Sequence, residues 1–184
     1  AKGKKKVLSV HGVFSDQIMK MDQPGVKPMI RPSQGIHLVL EKEFLDGPHA
    51  IMIPHTSDGR VLFAVPWHNH VVLGTTDTPI DETLEEPKPI EEEIDFILAN
   101  AGQYMTKKPK RKDVKSVFAG LRPLAANQES DSETKEISRH HKINVSTSGL
   151  ISILGGKWTT YRKMAEDAIN TASVVAGLKE VKCS

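Results

Sequence analysis

At 184 residues the chain is long enough to bury a core as one domain or one large lobe. A net charge of +2 makes no general case for nucleic acid or an anionic membrane surface, and a charged fraction of 26% with ordinary Gly and Pro content excludes a disordered chain. The single cysteine, Cys183, excludes an intramolecular disulfide and favours a reducing compartment, and no apolar run reaches the length of a membrane span.

The sequence starts at Ala1 with a polar lysine run, which reads either as a piece cut from a longer chain or as a chain whose methionine has been removed. Val7 to Val10 predicts a short strand, Gly12 a tight turn, and the residues to Met21 a short amphipathic helix. Pro24 to Pro32 reads as a proline-broken connection carrying an exposed loop arginine, Arg31. Gly35 to Glu41 predicts a strand whose alternation puts Ile36, Leu38 and Leu40 on one face and His37 and Val39 on the other. Ala50 to Pro54, Arg60 to Val65 and Val71 to Gly74 predict three further strands. Asp58-Gly59 marks one hairpin turn and His68-Asn69-His70 the tip of the next. The alternate histidines of that tip lack a neighbouring acid or cysteine, so no metal site is predicted. Successive strands joined by tight turns predict an antiparallel sheet.

After Gly74-Thr75-Thr76-Asp77-Thr78-Pro79 the chain is acidic and proline-rich to Pro89. Ile90, Ile94, Ile97, Leu98, Ala101 and Met105 then share one face of a predicted helix, with Glu91, Glu92 and Glu93 in a first turn where negative charge suits the helix dipole. The basic run Lys107 to Lys112 reads as a solvated cap and loop. Val114 to Leu121 predicts a strand that delivers Arg122 at its end, because Pro123 disfavours a helical conformation in the residue before it. Ile143 to Ser146 and the apolar Leu150 to Leu154 predict a hairpin. Gly155-Gly156 then lead into a helix with Trp158, Tyr161, Ala165, Ala168, Ile169 and Ala172 at three- and four-residue spacing, stopped at Gly177.

A strand, a glycine pair and a helix start leave backbone N–H groups unpaired and a ligand free to approach them closely. The residues alone leave two readings open, a simple tight turn or an anion-receptive one. Arg122, Arg139 and Lys157 stand at comparable element ends; each alone reads as a surface residue, and their convergence on an anion is the sharper hypothesis. His37, on a shared cleft, would titrate near neutral pH and take a hydroxyl proton.

Ala119-Gly120-Leu121-Arg122-Pro123-Leu124, Ser138-Arg139, Gly74-Thr75-Thr76-Asp77 and Gly155-Gly156-Lys157-Trp158-Thr159-Thr160-Tyr161-Arg162 carry a resemblance. In order and approximate spacing the chain resembles FAD-dependent glycerol-3-phosphate dehydrogenases over nearly its whole length. Gly12-Val13-Phe14-Ser15-Asp16 is similar to that family's turn near the flavin, with Val13 and Phe14 replacing Pro and Trp.

The resemblance implies oxidation of sn-glycerol 3-phosphate to dihydroxyacetone phosphate, with the hydride passing to FAD and electrons onward to a membrane quinone. It implies His37 as the base, with Arg122 catalytic and Arg122, Arg139 and Lys157 binding substrate. It implies Gly12, Gly155, Gly156, Lys157 and Thr159 at the cofactor. The implied fold is α+β, a largely antiparallel or mixed sheet flanked by helices, of the substrate-domain type found in D-amino-acid-oxidase-like flavoproteins. Residues 1–22 and 148–184 are expected to belong to the FAD domain and residues 23–147 to the substrate domain. The family's Gly-x-Gly-x-x-Gly segment is not in this sequence, so an internal fragment is expected that neither holds FAD nor turns over by itself. A cytoplasmic enzyme peripherally associated with the inner membrane is expected, with a homodimer compatible. The alternatives are a glycerol-3-phosphate oxidase, an amino-acid-oxidase-like flavoenzyme, and a non-catalytic anion-binding module docking through Lys107 to Lys112.

Overall fold

The structure, a computed structural model, describes residues 7–105, 107–126 and 140–179. In chain order the elements are β1 (Leu8–Ser9), α1 (Ser15–Asp22), β2 (Ile30–Glu41), β3 (Ile51–Ile53), β4 (Leu62–Trp67), β5 (His70–Gly74) and β6 (Thr78–Pro79), then α2 (Glu91–Ala101), β7 (Ser116–Ala125), β8 (Lys142–Val145), β9 (Ile151–Leu154) and α3 (Tyr161–Ala176). The fold is α+β with antiparallel and mixed sheets, as the sequence predicts. Two units divide the chain, Gln34–Leu121 as one, Ala1–Ser33 with Arg122–Ser184 as the other. The division falls within β2 and β7.

In the Gln34–Leu121 unit the sheet runs β3-β4-β5-β2-β6, and β7 also pairs with β2. The β3·β4, β4·β5 and β2·β5 pairs are antiparallel. The alternation read in β2 is real: Ile36, Leu38 and Leu40 are fully buried, together with Leu62, Ala64, Val71 and Leu73 from β4 and β5. Their partner is α2, whose Ile94, Ile97, Leu98 and Ala101 seal this face, with Met105 just beyond the helix end. Asn100 fixes the helix to the β3–β4 turn, its Oδ1 accepting from the Ser57 N–H at 2.8 Å.

In the other unit β9 is the middle strand of three, parallel to β1 and antiparallel to β8. All four β9 residues are buried, including Ser152, the polar residue of the strand. Met19, Ile30, Ala125 and Leu154 form a small core beside it. The Asp16 carboxylate accepts from the Met29 and Ile30 N–H groups at 2.9 and 3.1 Å, which pins the chain where β2 begins.

Several sequence expectations need revision. Arg31 and Pro32 lie inside β2, not in a loop. Arg122 sits within β7, which continues to Ala125, so it does not terminate the strand. Trp158–Thr160 is a short 3-10 turn, and α3 proper starts at Tyr161. The apolar spacing along α3 does not mark a buried stripe. Ala168 alone is buried among its described residues, while Tyr161, Ala165 and Ile169 face outward. Gly177 does stop the helix, in the left-handed conformation, with the Leu178 N–H donating back to the Ser173 carbonyl.

Candidate active site

β4 is apolar at every position from Leu62 to Trp67, so it offers apolar side chains to both faces of its sheet. One face is closed by α2. The other is open, and Phe63 and Trp67 are 47% and 62% exposed on it. Register builds this face in rows. Val39, Val72 and Val65 stand side by side on β2, β5 and β4, and His37, Gly74 and Phe63 form the next row. Gly74 has no side chain, so the floor drops between its two neighbours. The result is a concavity of about 760 Å³ that also takes in Thr75, His68, His70 and Phe118.

His37 is set into this face. Its ring stacks on Phe118 with centroids 5.0 Å apart and planes 13° apart. On the other side it lies directly over Gly74, where a Cβ would come within 2.6 Å of His37 Cδ2. An imidazole held between an aromatic ring and bare backbone, amid apolar side chains, has little orientational freedom and can accept or release a proton at a fixed place. Glu41, at the far end of β2, has its carboxyl held below its ordinary value by a hydrogen bond from Lys115, and His70 adds to this. His68 and His70 line the concavity.

In the other unit two turns leave the same end of adjacent strands. β1 and β9 are parallel, with Leu8 opposite Ile151 and Ser9 opposite Ser152. Gly12 follows β1, and Gly155-Gly156 follow β9, all three at positive φ. The carboxyl end of parallel strands is where ligands bind in open α/β sheets. A positive φ favours glycine at both members of the pair, and at Gly155 a backbone atom also fills the place of a Cβ. A Cβ on Gly155 would meet the His140 carbonyl oxygen at 2.9 Å, and one on Gly156 would meet the Met164 sulfur at 2.4 Å. Lys157 and Thr159 follow on exposed backbone, and the Thr160 hydroxyl accepts from the Lys157 N–H at 3.3 Å. Trp158 and Tyr161 stack on the surface beyond. Next to this turn His141 Nε2 lies 3.0 Å from Asp167 Oδ2. A hydrogen bond from Lys163 holds the Asp167 carboxyl below its ordinary value, with burial opposing and His141 assisting.

The structure thus brings the Gly12 and Gly155-Gly156 turns to one strand end of one unit, with Lys157 and Thr159 adjoining. Arg122 is a half-buried residue of β7 in that unit, and His37 belongs to the other. Arg139 lies outside the described residues. Sequence reasoning missed Phe118, Phe63 and Trp67 as walls around His37. The available signal was the double-faced apolar pattern of β4.

The FAD dependent oxidoreductase family matches residues 2–162. The chain belongs to that family. Mitochondrial glycerol-3-phosphate dehydrogenase of Mus musculus is 44% identical to this FAD-dependent oxidoreductase chain over 168 residues, 90% of the chain and 23% of the relative. A glycerol-3-phosphate dehydrogenase from Bacillus halodurans, solved with FAD, superposes with a TM-score of 0.80 at 34% identity, covering 96% of this chain and 33% of that one. An L-alpha-glycerophosphate oxidase from Mycoplasma pneumoniae shares the fold, with a TM-score of 0.63 at 15% identity, over 97% of this chain and 44% of that one. The chain therefore spans about a quarter of the length of the curated dehydrogenases it matches.

Proposed function

We propose that this chain supplies the substrate-facing sheet and a flavin-facing turn of an FAD-dependent glycerol-3-phosphate dehydrogenase. The reaction is oxidation of sn-glycerol 3-phosphate to dihydroxyacetone phosphate. The observation that carries this reading is the open apolar sheet face with His37 held between Phe118 and Gly74. The family match and the dehydrogenase relatives support it.

Oxidising the C2 alcohol requires removal of a hydroxyl proton and of a hydride. His37 accepts the proton, because its ring is fixed and an imidazole exchanges protons near neutral pH. Arg122, Arg139 and Lys157 bind the phosphorylated substrate, two planar guanidinium forks and one compact ammonium matching a dianion. Gly12, Gly155, Gly156, Lys157 and Thr159 are the residues that would hold the flavin. Gly12 fits that role, since its positive φ and the open space where a Cβ would stand leave its backbone free to close approach, and the positive φ of Gly155 and Gly156 turns the chain at the same strand end. FAD, when bound, supplies the acceptor for the C2 hydride. Once substrate covers the open face, the apolar walls around His37 would exclude water and strengthen any charge interaction made there.

Residues 1–22 and 148–184 then belong with the flavin-binding part and residues 23–147 with the substrate-binding part, a division supported by the parallel β1·β9 pair. The onward acceptor in this reading is a quinone at a membrane surface, and the relatives' names favour a mitochondrial setting over a cytoplasmic one. No helix among the described residues is long and apolar enough to cross a membrane.

The test is anaerobic flavin reduction in the protein that carries this stretch, loaded with FAD. The expected result is bleaching by sn-glycerol 3-phosphate, slowed about 10- to 100-fold by Arg122→Ala, the loss of one charge-assisted hydrogen bond. Unchanged reduction kinetics in that variant, or bleaching by an amino acid in place of the phosphate ester, overturns the proposal.

A further inference from the structure

Glu93 was read from sequence as one of three acids at a helix start, but it stands apart from Glu91 and Glu92. It is 3% exposed. A buried carboxylate needs every lone pair occupied, and this one is met by donors from three directions. Its Oε1 accepts from the Thr76 and Thr78 hydroxyls at 2.8 and 2.7 Å. Its Oε2 accepts from Gln34 Nε2 at 2.8 Å and from the Ile90 N–H at 3.4 Å. Capping α2 requires only the last of these. The others reach across to the first residue of the unit and to the segment that leaves β5.

The consequence lies at His37. The Thr76 hydroxyl donates to Glu93, which turns its lone pairs toward β2, where it accepts from the Ile36 N–H at 3.0 Å. Ile36 precedes His37, and Thr76 lies two residues beyond Gly74, the partner of His37 in the β2·β5 ladder. The carboxylate therefore fixes the strand that carries the imidazole and the segment on which the imidazole rests. We propose that Glu93 is a positioning residue for His37, acting through Thr76. This deepens the reading of His37 as the base, and it concerns only where the ring stands.

The test reads ring position directly, so it is separate from any test of turnover. In the 184-residue chain the His37 ring protons lie in the ring current of Phe118, and their NMR resonances report the stack. Gly74→Ala, which places a methyl group against the ring, identifies those resonances by moving them. Glu93→Gln and Thr76→Val are then expected to shift the same resonances, while Ile97→Val, a loosening of α2 that leaves the network intact, keeps them in place. Thr76→Val preserves side-chain shape, so it gives an answer even where Glu93→Gln fails to fold. Wild-type resonances in either folded variant overturn the proposal, and so does an equal shift in Ile97→Val, because general loosening would then account for the effect.

Discussion

Asp58, in the turn between β3 and β4, shows how one side chain can be read through pH. Burial pushes its carboxyl up, but hydrogen bonds from the Arg60 side chain, the Arg60 N–H and Thr56, together with the Arg60 charge, outweigh that and hold it below its ordinary value. A carboxyl lowered by folding contributes stability above its unfolded value, and this is lost as pH falls through the folded one. Asp58→Asn is therefore expected to lose stability at neutral pH, by no more than about 1 kcal/mol given solvent screening, and to lose none below the folded value. Urea titrations at both pH values measure this, and an equal loss at both contradicts it. At the same scale, the side on which His37 lies was legible, because Ile36, Leu38 and Leu40 leave the opposite face as its only place. The role of Glu93 was not legible. A glutamate in a first helical turn has a sufficient local explanation, and Gln34 and Thr76 become its neighbours only through the sheet.

Among the elements, α2 matters most to the sheet, since it is what makes one face a core and leaves the other as a surface. Ile97 is fully buried between the helix and the strands. Ile97→Ala is expected to cost about 2–5 kcal/mol, the range for a truncated buried aliphatic side chain, with the midpoint of urea unfolding as the measurement. A cost under about 1 kcal/mol would mean that α2 is not the lid described. The helix was visible in sequence from the Ile94, Ile97, Leu98 and Ala101 spacing. The same kind of spacing misled for α3, whose Tyr161 and Ile169 are exposed, because periodicity reports an apolar stripe and not what covers it. The residue before Pro123 was placed at a strand end for a related reason. Pro123 rules out a helix but is tolerated in a strand where its missing N–H is not needed, and β7 runs on to Ala125.

For the whole chain, a net charge of +2 coexists with large apolar side chains in water on both units, among them Phe63, Trp67 and Trp158. Contiguous exposed apolar surface in a folded protein marks a place for a ligand or another polypeptide surface. The native 184-residue chain is expected to enhance the fluorescence of an apolar reporter dye, and Phe63→Ser with Trp67→Ser to reduce that signal at unchanged stability. Dye binding that appears only on unfolding would refute this. Sequence motifs indicated the family because residues such as Gly155 and Gly156 are dictated by a positive φ, and Gly155 also by the His140 carbonyl oxygen where a Cβ would stand. The concavity was less legible, because it is defined by the absent side chain of Gly74 and by partners on three strands.

Pleating makes the position of His37 a matter of odd and even. A change of one residue in β2 that slips the strand by one position against β5 would turn the imidazole toward α2 and put Ile36, Leu38 and Leu40 in water. Substitutions can therefore accumulate along this strand one at a time, whereas a change of length exchanges both faces at once. Natural variants should accordingly differ in the spelling of β2 but hardly in its residue count, with insertions confined to the turns.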